Sequence, residues 1–600
     1  MSLHALPLIC RALGRTGALA LGLAIAAAAL PSGLVAQAAS SPLSENVAVN
    51  LINRLVKRGA LTADDGAELI KLAEADAAAA RSRNAAPSPA QEARQPVGDP
   101  AAGDEEAVRV TYVPEIVKAQ IRDEVRQDVM AQARRENWAS PRAFPEWTSR
   151  FEFFGDFRFR LEGDLLPAGN DNTGAFPNFN AINTGSPFDV SGNLFSPQYN
   201  VDQNRQRVRI RARLGTAITL GDGFTSGLRF GTGENNSPVT ENQSLGSANQ
   251  AQGGNFSKYA VWLDRGFLRY EVGTTAEQGL TFTVGRFDNP FFATTMLWAA
   301  DLGFDGAVIQ GRRVVADGLT AFITIGAFPV FNTDLNFASN QPAKFKSEDK
   351  WLYAAQAGAT WRLNSDFEAK FAGAYYYFAN VEGKLSAPYT PLTAQDAGST
   401  DDSRPAFAQT GNTYMALRNI VPTVLNNFGA IDQYQYFGLA SPFHELDLTG
   451  RLDYNHFAPF QLALTGEYVN NLAFHRHSVG AKAVNNLGAA PSAGGVGAFE
   501  GGNAAWFVGI TAGAVAMRQR WDWNVSLDYR NVQSDALVDG FCDADFGGTL
   551  LGTNHKGYTL SGNMALAPRV WLTVRWMSAT GLAGPTFRND LLLFDINSKF

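Results

Sequence analysis

From Arg205 to Arg213 every second residue is an arginine, and Val208, Ile210, Ala212 and Leu214 alternate with them. A period of two places all the guanidinium groups on one face of a strand and the aliphatic groups on the other. The same alternation runs through the rest of the chain. In 147–163, Phe151, Phe153, Phe157, Phe159 and Leu161 face one way, and Arg150, Glu152, Asp156, Arg158, Arg160 and Glu162 face the other. The pattern predicts strands over 147–163, 204–220, 223–232, 257–271, 279–287, 304–314, 319–331, 350–362, 366–379, 443–454, 459–470, 503–518, 520–531, 557–566, 569–580 and 588–600. That is about sixteen, or eighteen if 380–442 hides another hairpin.

The connections between these strands alternate in length. Short ones (221–222, 272–278, 315–318, 363–365, 455–458, Gln519 and 567–568) separate long ones (164–203, 233–256, 288–303, 332–349, 380–442, 471–502 and 532–556), and the last, 581–587, is brief. An even number of strands, short turns at one end and long loops at the other are what a transmembrane barrel requires. The fold class expected is therefore an all-β transmembrane barrel of antiparallel strands over 147–600, preceded by a short α-helical periplasmic segment.

Composition agrees with this. Mean hydropathy is −0.13, too polar for a helical membrane protein, while 58 glycines and 41 phenylalanines in 600 residues suit many strands with aromatic girdles. The net charge of −7 makes the arginine run a local feature and argues against a polyanion binder. Nucleic acid is accordingly not an expected partner.

Residues 1–38 read as a secretory signal peptide: Arg11 and Arg15, an apolar run over 16–30, and an Ala36-Gln37-Ala38 cleavage site. Two amphipathic helices are expected within 39–81, a flexible linker over 82–110, and a further helix within 111–146. In the last, Val117, Ile121, Val125 and Val129 form a stripe suited either to a short trimeric coiled coil or to packing on neighbouring periplasmic segments. After signal removal only Cys542 remains, so no intramolecular disulfide or cysteine metal site is expected.

Several segments carry a family resemblance. TYVPEIVKAQIRDEV with PEWTSRFEFFGDFRFRLEGD (within 111–164), GRFDNPFF (285–292), LWAADLGFDG (297–306), DGFCDADFGGT (539–549), NHKGY (554–558) and the closing INSKF resemble the putative porin family of Gram-negative outer membranes. The resemblance implies an outer-membrane porin that passes small hydrophilic solutes and ions by passive diffusion. It implies as partners outer-membrane lipid and lipopolysaccharide, and the barrel-assembly machinery, for which Phe600 would be the terminal insertion signal. It leaves open a homotrimer, and it places the N-terminal helices in the periplasm.

In such a barrel Arg205, Arg207, Arg209, Arg211 and Arg213 would line the lumen along ~26 Å of strand, roughly 20 Å of depth. Arg158, Arg160 and Arg229 on adjoining strands would widen this basic wall. Half-way round the ring, Glu445, Asp447 and Asp453, with Glu467, Asp522 and Asp528, would form an acidic wall, giving a transverse field across the water. The connection 288–303 would fold inward, as the corresponding loop of trimeric general porins does, and carry Asp288 and Asp301 toward the arginines. The competing view has the arginines neutralised by Glu152, Asp156, Glu162 and lipopolysaccharide, with 288–303 packed over the mouth.

Other signals are weaker. His475 and His477 lack a third ligand, so a solvated loop is the simpler reading. Asp535, Asp539, Asp543 and Asp545 fit a divalent-cation loop, an acidic loop or a plug facing the lumen. No metal or cofactor is expected. No Ser-His-Asp constellation points to an outer-membrane hydrolase, which stays an alternative with a structural or adhesive barrel. The chain is not expected to be an enzyme.

Overall fold

The computed structural model describes residues 146–600, apart from 172, 193, 235–236, 248–253, 333–344 and 347, together with 67, 71, 123 and 125–130. The expected signal peptide and linker, and most of both helical segments, lie outside the described residues. Those described at 123 and 125–130 are helical.

Sixteen long strands make one sheet: β1 Phe151–Leu165, β2 Arg205–Gly221, β3 Phe224–Gly231, β4 Trp262–Val272, β5 Gln278–Asp288, β6 Gly303–Ala316, β7 Leu319–Phe331, β8 Lys350–Arg362, β9 Phe367–Ala379, β10 Phe443–Tyr454, β11 Phe460–Asn471, β12 Ala504–Ala514, β13 Trp523–Val532, β14 His555–Ala567, β15 Val570–Gly581 and β16 Arg588–Lys599. Each pairs antiparallel with its sequence neighbours, and β1 pairs with both β2 and β16, so the sheet closes into a barrel without a free edge. Closure continues to the last residue: Gly155 and Phe600 exchange backbone hydrogen bonds of 3.1 and 3.0 Å.

The two faces have the chemistry that the alternation predicts. Phe153, Phe157 and Leu161 of β1 are exposed on the outside, as are Leu214 of β2 and Phe230 of β3, whereas Arg160, Glu162 and Asp164 of β1 are buried. Stacked aromatic pairs such as Phe224–Tyr270 and Phe367–Tyr454 stand near the short turns, as in the girdle of a membrane barrel.

The strand count is sixteen, and 380–442 adds no hairpin to the wall. That segment instead folds back over the barrel, pairing Tyr414–Ala416 with Phe437–Leu439, and Tyr434–Gln435 with Phe188–Asp189 of the first long connection. Its apolar residues are spent on a core with the other long loops. Phe179, Trp298, Tyr414, Leu417, Phe437, Leu537 and Cys542 cluster with inward-facing Phe304, Phe328, Tyr376 and Phe443 of the wall.

Several strand ends differ from the periodic reading. β1 starts at Phe151 rather than 147, since Glu146–Arg150 form a 3-10 helix. β4 starts at Trp262 rather than 257. β12 stops at Ala514, and residues 515–522 form the turn to β13 in place of Gln519 alone. The Asp522 carboxylate accepts the Arg518 and Gln519 N–H groups at 2.9 and 2.7 Å, which organises a turn at that point in place of continued strand.

Candidate functional site: a charged lumen

β1 and β2 are in a register that sets like charges opposite each other: Arg158 faces Arg211 and Arg160 faces Arg209. Directly paired like charges repel, so the carboxylates around them decide whether the arrangement holds. Part of the compensation is local. Glu162 takes Arg207, and Arg209 at 3.2 Å. Asp156 takes Arg211 at 2.8 Å and Arg213 at 2.7 Å.

The rest arrives from distant sequence. Asp301, at the end of 288–303, bonds Arg211 at 2.7 Å and lies 3.4 Å from Arg213. Glu241, from the second long connection, reaches Arg213 at 3.1 Å. Arg160 is fully buried and is held by Asp595 of β16 at 2.7 Å and by Asp545 of the seventh long connection at 2.8 Å. Arg158 is less satisfied: Asp595 lies 3.9 Å away, and its Nε donates to Asn597 at 3.2 Å. Arg205 is exposed at the start of β2 and has no ion pair among the described residues. Arg213 is the ninth of the 17 residues of β2, so the ladder occupies the half of the strand nearer the long connections.

Arg229 stands apart from this group, paired with Asp264 and, at 3.1 Å, with Asp288. Asp288 also accepts from Arg265 at 2.8 Å. Asp288 and Asp301, at the two ends of one connection, thus both reach arginines, though different ones.

Between its ends the 288–303 connection crosses to the far side of the barrel. Phe292 exchanges hydrogen bonds of 2.8 and 2.9 Å with Gln356 of β8, and its ring lies 4.2 Å under the Lys370 ammonium of β9. Thr294 donates its N–H to Glu467 of β11 at 2.7 Å. Ala299 donates to the Phe541 carbonyl at 2.8 Å, tying this connection to the seventh. Glu445, Asp447 and Glu467 point inward but lie buried beneath these two loops. Glu445 accepts the Val538 N–H at 3.1 Å, and the Thr449 hydroxyl links Asp447 and Glu467 at 3.0 and 3.3 Å. Asp453 pairs with Arg451 of its own strand at 2.9 Å.

Between the ladder and β13–β15, on the same side of the ring, is a polar cavity of about 250 Å³. Arg158, Arg160, Arg211, Arg530 and Arg575 line it, with Asp301, Asp528, Asp543 and Asp545 among them. Arg530 bonds Asp543 at 2.9 Å and lies 3.5 Å from Asp528, and Arg575 reaches Asp545 at 3.1 Å. The structure thus gathers Arg158, Arg160, Arg211, Asp301 and Asp528 of the expected lumen residues into one place, and leaves Arg229, Asp453 and Asp522 outside it. Sequence reasoning missed Asp264, Arg265, Arg530, Arg575 and Asp595. Period-two alternation marks Arg530 with Asp528, and Asp595 with Asn597, as inward-facing, which was the available signal.

The seventh connection is acidic yet not free for a cation. Asp535 accepts the Thr413 N–H and hydroxyl at 2.8 and 2.6 Å, and Tyr414 donates to Asp539 at 3.2 Å. Burial pushes Asp535 up to about 6 and Asp539 to about 7. No grouping of three or more His, Cys, Asp or Glu suited to a metal occurs among the described residues.

A closed sixteen-stranded barrel with an apolar outer face and a charged interior defines an outer-membrane channel. Residues 45–600 match the family described as putative porin, and the chain belongs to that family. No curated protein matches it. Among solved structures it is similar to OprB of Pseudomonas putida (11% identity, 76% of this chain and 95% of that one, TM-score 0.39). It is also similar to the outer-membrane channel DcaP of Acinetobacter baumannii (10%, 75% and 97%, 0.34) and to an anion-selective porin from Comamonas acidovorans (11%, 75% and 99%, 0.33). At these scores the likenesses carry no argument, and the family assignment stands on the sequence match.

Proposed function

We propose that this protein is a diffusion porin whose constriction is the charged cavity beside β1 and β2, through which small hydrophilic solutes and ions cross the outer membrane. The observation that carries the reading is the collection of five arginines and four aspartates around about 250 Å³ of polar space. Charges so nearly balanced bias selectivity without closing the path to either sign of ion. The long loops face the outside, the short turns and the N-terminal helices face the periplasm, and Phe600 serves the assembly machinery as a terminal signal.

The acidic wall acts differently from a bare lumen surface. Glu445 and Glu467 anchor the inward loops by accepting from Val538 and Thr294, and Asp447 is tied to Glu467 through the Thr449 hydroxyl. Their effect on selectivity is therefore exerted through loop position more than through direct contact with ions.

Two experiments test the reading. Replacing Arg207, Arg209 and Arg211 by Ala leaves Glu162 without its arginines, and Asp156 and Asp301 with Arg213 alone. The reversal potential in a salt gradient should shift toward cations, and an unchanged potential would remove the ladder from the conducting path. A liposome-swelling series of sugars, amino acids and organic acids should show rates that fall with solute size.

A further inference from the structure

At the long-loop end, a second cavity of about 720 Å³ lies between the wall of β3–β8 and the loops above it. It has a different chemistry from the constriction. Trp262, Trp298, Phe304, Phe328 and Phe331 line it, and Lys350 opens into it at the start of β8. Trp298, Phe304 and Phe328 belong to the core under the loops and form the cavity's apolar floor, whereas Trp262 keeps accessible ring surface; the cavity's size is that of a small-molecule pocket. The rings stand edge to face, Trp298 with Phe304 at 5.1 Å and 71°, and Phe304 with Phe328 at 5.2 Å and 78°. Such walls offer both ring edges and ring faces to an incoming ring.

Lys350 supplies the polar end. Its side chain is buried, its Nζ donates to the Asp402 carbonyl at 2.6 Å, and it lies 4.8 Å from the Phe331 ring centroid. Among the described residues no carboxylate lies within 4.0 Å of it. The acids that line the cavity are already engaged: Glu241 with Arg213, Asp264 with Arg229 and Arg265, Asp301 with Arg211, and Asp305 with Arg286 at 2.7 Å. Glu234 accepts the Ser244 N–H at 3.1 Å. The Asp402 and Glu348 carboxylates act on this ammonium only from beyond 4.0 Å, and a buried ammonium without a direct ion pair gains from a group that completes it.

We propose that this cavity binds a small aromatic carboxylate, with the ring in the open space beside Trp262 and Phe331, over the floor formed by Trp298, Phe304 and Phe328, and the carboxylate on Lys350. The cavity shares Asp301 and Thr240 with the constriction, so a bound solute sits at the threshold of the narrow passage. The inference deepens the porin reading by naming a solute class, and its test reads binding, which does not depend on conduction.

The test is tryptophan fluorescence of the full detergent-solubilised protein, since Trp262 and Trp298 line the cavity, titrated with benzoate, acetate and benzyl alcohol. Benzoate should change the emission saturably. Benzyl alcohol, and benzoate on Lys350→Gln, should bind roughly tenfold or more weakly, the loss expected of one charge-assisted hydrogen bond. Lys350→Arg should keep benzoate affinity within a few fold, so the proposal stays testable if the glutamine variant does not fold. Absence of saturable benzoate binding, equal binding of acetate, or full affinity in a folded Lys350→Gln would overturn it. A wild-type protein that conducts potassium chloride but ignores benzoate sinks this inference and spares the channel; one that binds benzoate and conducts nothing does the opposite.

Discussion

Arg158→Gln isolates the electrostatics of the constriction from its stability. Arg158 lines the 250 Å³ cavity, yet the nearest carboxylate is 3.9 Å away and already holds Arg160 at 2.7 Å. Removing its charge therefore leaves no buried acid without a partner, and glutamine can still donate toward Asn597. An ion passing ~5 Å from the guanidinium feels ~0.8 kcal/mol in water. Screening at 0.1 M salt, with a Debye length of ~10 Å, reduces this to ~0.5 kcal/mol. The effect has opposite sign for cations and anions, so the cation-to-anion permeability ratio should rise by ~1 kcal/mol, or roughly fivefold. The assay is the reversal potential of the variant in a potassium chloride gradient across a planar bilayer, repeated at 1 M salt, where a Debye length of ~3 Å should largely abolish the difference. An unchanged ratio at low salt, with normal conductance, would refute the placement of Arg158 in the ion path.

Other substitutions should behave differently. Arg160→Gln breaks a fully buried bridge to Asp595 and Asp545, a loss of about 3–5 kcal/mol, so the temperature at which the barrel loses its compact mobility on gels should fall, while Arg158→Gln leaves it in place. Asp535 and Asp539 are raised by burial from an ordinary 3.8 to about 6 and about 7. Their contribution to the stability of the 532–554 cap is then full below about pH 4 and lost as pH rises through 6 to 7. Protease cleavage within this cap should increase over that range, and Asp539→Asn should flatten the dependence; a cap equally resistant at pH 4 and 8 would contradict it. Cys542 is buried and its thiol is pushed up by burial, so it should react with a maleimide only after denaturation.

The barrel was legible in the sequence because its main determinants are local. A period of two, read over ten or more residues, placed Phe153, Phe157 and Leu161 outside and Arg160 and Glu162 inside, and alternating loop lengths gave the closure. Strand ends were less legible where a turn side chain takes over, as Asp522 does by capping 518–519. The site was only half legible. The ladder is visible as a pattern, but its neutralisation comes from elsewhere: Asp301 lies 90 residues from Arg211, Asp545 lies 385 from Arg160, and Thr294 lies 173 from Glu467. No periodicity reports where a long loop will fold. The acidic residues of β10 and β11 looked like a bare wall because the segments that cover them, 288–303 and 532–554, carry family motifs but no periodicity that says which strands they will cover. Residues 380–442 looked like room for another hairpin for the same reason. Their apolar residues belong to a core shared with other loops.

The most direct measurement is the single-channel conductance of the purified full-length protein in a planar bilayer. Discrete, stable, ohmic steps with measurable permeability to both potassium and chloride are predicted, as befits a constriction lined by five arginines and four aspartates. A folded, membrane-inserted protein that gives no steps would contradict the account at its centre.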